Sequence, residues 1–107
     1  MILDNVNPND LFPTESKGPS VLGVIEYNVQ GQSEFEGAFI ATSERLIMNV
    51  DMNGQFYYRN IPYNEIEEIH FDGTDIVFTF NIGKVPMKQI KTKDVKAFVD
   101  YVESKIK

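Results

Sequence analysis

A chain of 107 residues has room for one domain, and with no cysteine it has no disulfide, thiolate metal site or cysteine nucleophile. Its formal net charge is −6, split between residues 1–83, where thirteen acidic side chains face only Lys17, Arg45 and Arg59, and residues 84–107, where seven lysines face Asp94, Asp100 and Glu103. So acidic a body repels a phosphate backbone and excludes nucleic acid as an expected partner.

Residues 1–20 are rich in Asn, Asp, Pro, Ser and Gly, the composition of a segment that is flexible or draped over a domain formed by residues 21–107. Two apolar clusters interrupt it, Met1-Ile2-Leu3 and Leu11-Phe12, either of which can anchor onto the body or onto a partner. From Val21 the rhythm is period two: Val21, Gly23, Ile25, Tyr27 and Val29 share one face, and Gly31 permits a turn. Phe35, Gly37, Phe39 and Ala41 then alternate with polar residues, as do Leu46, Met48 and Val50. Asn53-Gly54 is a strong hairpin signal, followed by Phe56 and Tyr58 and a stop at Ile61-Pro62, because proline cannot donate to a ladder. Ile66, Ile69 and Phe71 lead to a second turn at Asp72-Gly73, and Ile76, Phe78 and Phe80 to a third at Ile82-Gly83-Lys84. Val85 and Met87 make a last short strand.

About seven strands with turn signals every ten residues or so predict an antiparallel meander, bent sharply where Gly23, Gly37 and Gly83 fall. The pattern then becomes helical. Thr92 is the expected N-cap, Asp94 suits the first turn, and Val95, Phe98, Val99, Val102 and Ile106 form one apolar stripe. The spacing predicts an amphipathic helix of ~16 residues, ~24 Å long, whose stripe covers the mouth of the bent sheet.

Seven strands followed by one helix is the order of a pleckstrin-homology (PH) domain. Two stretches strengthen the likeness. Gly37 to Met48, with Thr42-Ser43-Glu44-Arg45-Leu46 at its centre, resembles the second and third strands of the bacterial PH-like family, often called YokE-like. Ile61-Pro62-Tyr63-Asn64-Glu65-Ile66-Glu67-Glu68-Ile69 resembles the segment that leads into that family's fifth strand. The resemblance covers residues 21–107 and implies a mainly β fold, a half-open barrel capped by one C-terminal helix, in a bacterial or phage protein. The residues within it read as structural: Arg45 is expected to pair with a carboxylate across the sheet, and Pro62 to fix the swing into the next strand. A phosphoinositide site needs several cations at close range. The first inter-strand loop, Glu26 to Glu34, has none and two acids, so no such site is expected there. The tryptophan of eukaryotic PH helices is absent, and Phe98 is the residue to fill its place.

No catalytic set stands out. His70 is the only histidine; with Glu68 on its strand face and Glu67 opposite it can begin a metal site or a small hydrolase, but alternating charge on the solvent face of a strand is the favoured reading. Asp51-Met52-Asn53-Gly54 is explained by a hairpin turn, and neither a Gly-x-Ser-x-Gly element nor a phosphate-cradling glycine loop is present. The expectation is a non-catalytic module without cofactor or metal, which binds a protein or assembles with itself. Leu11, Phe12, Tyr57 and Val77 are the candidate contact residues, since aromatics dominate interfaces. The alternative is weak attachment to an anionic membrane surface through Lys84, Lys88, Lys91, Lys93 and Lys96. No apolar run is long enough to span a bilayer, Met1 to Asn5 lacks the basic start of a secretory signal, and the C-terminal residues offer no lipidation cysteine, so a cytoplasmic location is expected.

Overall fold

Each alternating run buries one face, and the runs become seven strands. The computed structural model describes residues 8–29, 32–52, 54–81 and 83–106. The strands are β1 (Lys17–Val29), β2 (Gln32–Thr42), β3 (Arg45–Met52), β4 (Gln55–Pro62), β5 (Ile66–Phe71), β6 (Ile76–Phe80) and β7 (Gly83–Lys88), with α1 (Val95–Ile106) after them. All pairings are antiparallel, in one open sheet of order β4-β3-β2-β1-β7-β6-β5. The first strand pairs with the last, and β4 and β5 are left as the two edges. The expected mainly β, half-open arrangement with one C-terminal helix is the one observed.

β1 joins the two halves. It pairs with β2 from Lys17 to Val29 and with β7 at Val24 and Ile25. It starts at Lys17, so Lys17 to Ser20, read from composition with the N-terminal segment, lie in the strand. Met1-Ile2-Leu3, the turn glycine Gly31, Asn53 and Ile82 lie outside the described residues. The other turn chemistry is as read. Gly54 (φ 86°) and Gly73 (φ 101°) adopt backbone that favours glycine. The Asp72 carboxylate accepts the N–H groups of Asp75 and Thr74 and the Thr74 hydroxyl, which together hold its pKa at about 2.

Gly23 of β1 stands opposite Gly37 of β2. A Cβ on Gly37 would lie 2.6 Å from Ile25 Cδ1 and 2.7 Å from the Asn49 carbonyl oxygen. Gly37→Ala is therefore expected to destabilise the domain by about 1–3 kcal/mol, the usual cost of overpacking, as read from urea denaturation.

The helix differs from expectation in its start and length. It has 12 residues and begins at Val95. Thr92 does not cap it, because the Thr92 hydroxyl accepts the Leu22 N–H of β1 at 2.9 Å, and the Lys91 N–H donates to the Leu22 carbonyl at 2.8 Å. The chain is still tied to β1 at Thr92, and only after that can it coil. Asp94 takes the capping role, accepting the Ala97 N–H at 3.2 Å. Val95, Phe98, Val99 and Val102 are buried against the concave side of the sheet. There Phe78 meets Phe39 at 4.6 Å between ring centroids and Phe98 edge-on at 6.3 Å, so one ring cluster links β2, β6 and α1. Phe98 is fully buried there.

Candidate functional site

Arg45 opens β3 on the convex face of the sheet, away from the core. Its carboxylate partner is not across the sheet, as the sequence suggested, but on the segment that precedes β1. Glu15 pairs with it bidentately, Nε to Oε2 at 2.9 Å and a terminal nitrogen to Oε1 at 3.0 Å. The remaining guanidinium N–H groups donate to the Asp10 carbonyl at 3.0 Å, Asn60 Oδ1 at 2.6 Å and the Tyr58 hydroxyl at 3.2 Å. That is five bonds for the five donors of an arginine. The Phe12 ring lies over the guanidinium at 4.4 Å. Glu15 is also full: it accepts the Thr42 hydroxyl and the Phe12 N–H besides Arg45. Burial raises its pKa, but the hydrogen bonds from Arg45, Thr42 and Phe12 outweigh burial and leave the carboxyl below its ordinary range. Every donor and acceptor of the pair is occupied within the chain, so this cluster fastens the segment Asp10 to Ser16 across the end of β2 and β3 and offers nothing to an external ion.

Beside it lies the least covered strand of the sheet. Gln55 to Asn60 of β4 are all exposed. Phe12, Phe56, Tyr57 and Tyr58, the exposed large hydrophobic side chains among the described residues, show 46–52 % of their surface. The β3 register places Tyr57, Arg59 and Ile61 on the concave side, opposite Val50, Met48 and Leu46. Phe56, Tyr58 and Asn60 stand on the convex side, opposite Asp51, Asn49 and Ile47. Because β4 is an edge, aromatics on both of its faces reach solvent. Between β4 and the β5–β7 side runs an apolar slot of about 40 Å³, lined by Met48, Arg59, Ile61, Glu65, Phe80 and Val85. Small-molecule pockets measure about 300–1,000 Å³, so the slot is too small for a ligand of that size.

Of the four contact residues nominated from sequence, Phe12 joins this region through Arg45, and Leu11 beside it is half-buried. Tyr57 is on the concave rim of β4. Val77 is on β6, near the other end of the strand order, in an open depression with Glu68, His70, Thr79 and Lys84. The fold does not bring Tyr57 and Val77 onto one surface. Phe56, Tyr58 and Arg59 were not singled out from sequence; the absence of any acid between Gln55 and Pro62 was the available signal. Among the described residues, no three or more His, Cys, Asp or Glu side chains converge as for a metal ion.

The lysines form no continuous field. Lys88 contacts Glu26 at 3.0 Å and also Glu34, the two acids that flank the first inter-strand loop. Its pKa is raised, first by the hydrogen bond to Glu34 and then by that to Glu26. Lys91 is 3.9 Å from Glu36, and Lys96 is 2.6 Å from Asp100. Lys84 lies with Glu68 and His70, and Lys93 lines a depression of about 440 Å³ between the β5–β6 turn and the start of α1, with Asp94 and Lys96. Among the described residues no helix is long and apolar enough to cross a membrane.

The same architecture occurs in a solved structure. The crystal structure of the C-terminal domain of an unknown protein from Leishmania infantum superposes with a TM-score of 0.59 over 87 % of this chain and 86 % of that one, at 16 % identity, a likeness of fold. No curated protein matches the chain. The family model described as "Bacterial PH domain" matches residues 18–104. It is the family, rather than the YokE-like subtype, that this match establishes. A match that takes in nearly all of the sheet and almost the whole helix makes this chain a member of the bacterial PH domain family.

Proposed function

We propose that the domain is a non-catalytic protein-binding module that docks its partner along β4. A PH-like fold is typically a binding module, and the observation that supports β4 as its docking strand is the exposure of that edge. An edge presents unpaired backbone groups to any extended chain. On β4 they are flanked by Phe56, Tyr57 and Tyr58, each about half exposed, a residue class enriched at interface hot spots. The other edge is guarded: β5 carries the consecutive exposed acids Glu67 and Glu68 and packs against α1. Three of the five lysines nominated for lipid contact already face carboxylates, which favours the protein reading over the membrane one.

The test is native mass spectrometry of the full chain captured gently from its own host, beside the double variant Phe56→Ser/Tyr57→Ser. Neither residue belongs to the Arg45 cluster. The expected result is a stoichiometric protein complex, hetero- or homomeric, that the double variant loses while keeping its melting temperature within a few degrees. A complex indifferent to the double substitution, or a bare monomer that co-floats with anionic vesicles at low salt, would overturn the proposal.

A further inference from the structure

Resting on the reading of β4 as the docking edge, we infer that its occupant is a second copy of this chain, paired β4 to β4 about a two-fold axis through Tyr58. The register of β3 and β4 places Met52 opposite Gln55, which leaves two residues in the turn. The pair that closes a two-residue hairpin exchanges both backbone hydrogen bonds, and such pairs then alternate along the ladder. Gln55, Tyr57, Arg59 and Ile61 thus spend their backbone groups on β3. The N–H and C=O groups of Phe56, Tyr58 and Asn60 point out of the sheet.

A two-fold centred on Tyr58 uses all of them. It sets Tyr58 opposite Tyr58 of the second copy and Phe56 opposite Asn60, all on the convex face. It sets Tyr57 opposite Arg59 on the concave face, an aromatic ring against a guanidinium, once in each direction. Other centres are poorer. Centring on Asn60 sets Tyr58 against Pro62, which has no N–H to give. Centring on Phe56 or Tyr57 runs Tyr58 or Asn60 into the hairpin turn, and centring on Arg59 opposes two like charges and sets Phe56 against Pro62. Charge points the same way. Two copies of a −6 chain repel wherever their acids meet, but Gln55–Pro62 contains Arg59 and no acid, so the two strands meet without an acid on either. The product is a continuous fourteen-stranded antiparallel sheet, seven strands from each copy.

Multi-angle light scattering across a dilution series of the full chain, from about 1 µM to about 1 mM, the range of a small interface, reads the assembly. The average mass should rise from 12.2 kDa toward twice that value. Phe56→Pro removes one outward N–H without touching the β3 ladder and should keep the mass at the monomer value. Register is read by disulfide trapping in a chain that has no cysteine of its own. Tyr58→Cys places two Cα atoms about 5.5 Å apart, within bridging distance, and should cross-link at least tenfold faster than Phe56→Cys, whose copies lie several residues apart. A constant 12.2 kDa to the highest concentration, or equal trapping at both positions, would overturn self-pairing. If a different protein is then captured and lost with Phe56→Ser/Tyr57→Ser, the docking edge stands and only its occupant changes.

Discussion

Replacing Phe78 by alanine should destabilise the domain by about 3–5 kcal/mol, a large part of the roughly 5–15 kcal/mol that holds a domain of this size together. Phe78 is fully buried and is the ring that β2 and α1 share: Phe39 lies 4.6 Å away, Phe98 6.3 Å and Phe80 5.4 Å. Truncation opens a cavity between two elements that are far apart in sequence, and neither can move into it without leaving its own ladder or stripe. Equilibrium denaturation in urea checks it, the midpoint falling with little change in slope. Tyr57→Ala also deletes a ring, but one already half in water on the edge strand, and should cost less than about 1 kcal/mol. Similar losses for the two variants would mean that the core is not where the structure places it.

Arg45→Ala should be comparably severe, about 3–5 kcal/mol, because it leaves the Glu15 carboxylate buried without its cation. The neighbours give no rescue. Thr42 and the Phe12 N–H are neutral donors, and the Asp10 carbonyl, Asn60 and the Tyr58 hydroxyl each lose a partner. Glu15→Gln separates charge from shape and gives a pH signature. The folded-state pKa of Glu15 is lowered, so its contribution is fully present above the ordinary carboxylate pKa and is lost as pH falls through the lower folded value. The stability difference between the native chain and Glu15→Gln should therefore be largest near neutrality and shrink in acid. A constant difference from pH 7 to pH 3 would show that the carboxylate is not held below its ordinary range.

The strands were legible because burying one face of a sheet imposes period two on the sequence, and Phe35, Phe39 and Ala41 display it plainly. The turns were legible at Gly54 and Gly73, where positive φ restricts the choice of residue. The Glu15–Arg45 pair was not. A single glutamate in a polar segment carries no periodicity, and its partner is 30 residues away. The pairing depends on how the chain crosses the end of β2, which no local pattern encodes. The helix cap was misplaced by two residues because Thr92 and Asp94 are chemically equal candidates, and only the proximity of Leu22 decides between them. The β4 surface was half legible. Consecutive Tyr57 and Tyr58 must face opposite sides, yet that both are exposed follows from β4 lying at an edge, a property of strand order rather than of the strand. The lysines read as a cluster because charge was counted along the chain; Lys88 meets Glu34 from 54 residues away.

The central claim, that this bacterial PH domain meets other proteins through β4, is tested most directly by site-specific photo-crosslinking in the host cell. The full chain carries a benzophenone amino acid at position 56 on the β4 edge or, as the control, at position 70 on the far edge strand β5. The account predicts a discrete protein adduct, to a second copy or to another chain, from position 56 and none from position 70. No adduct from position 56, or the same adduct from both positions, would contradict it.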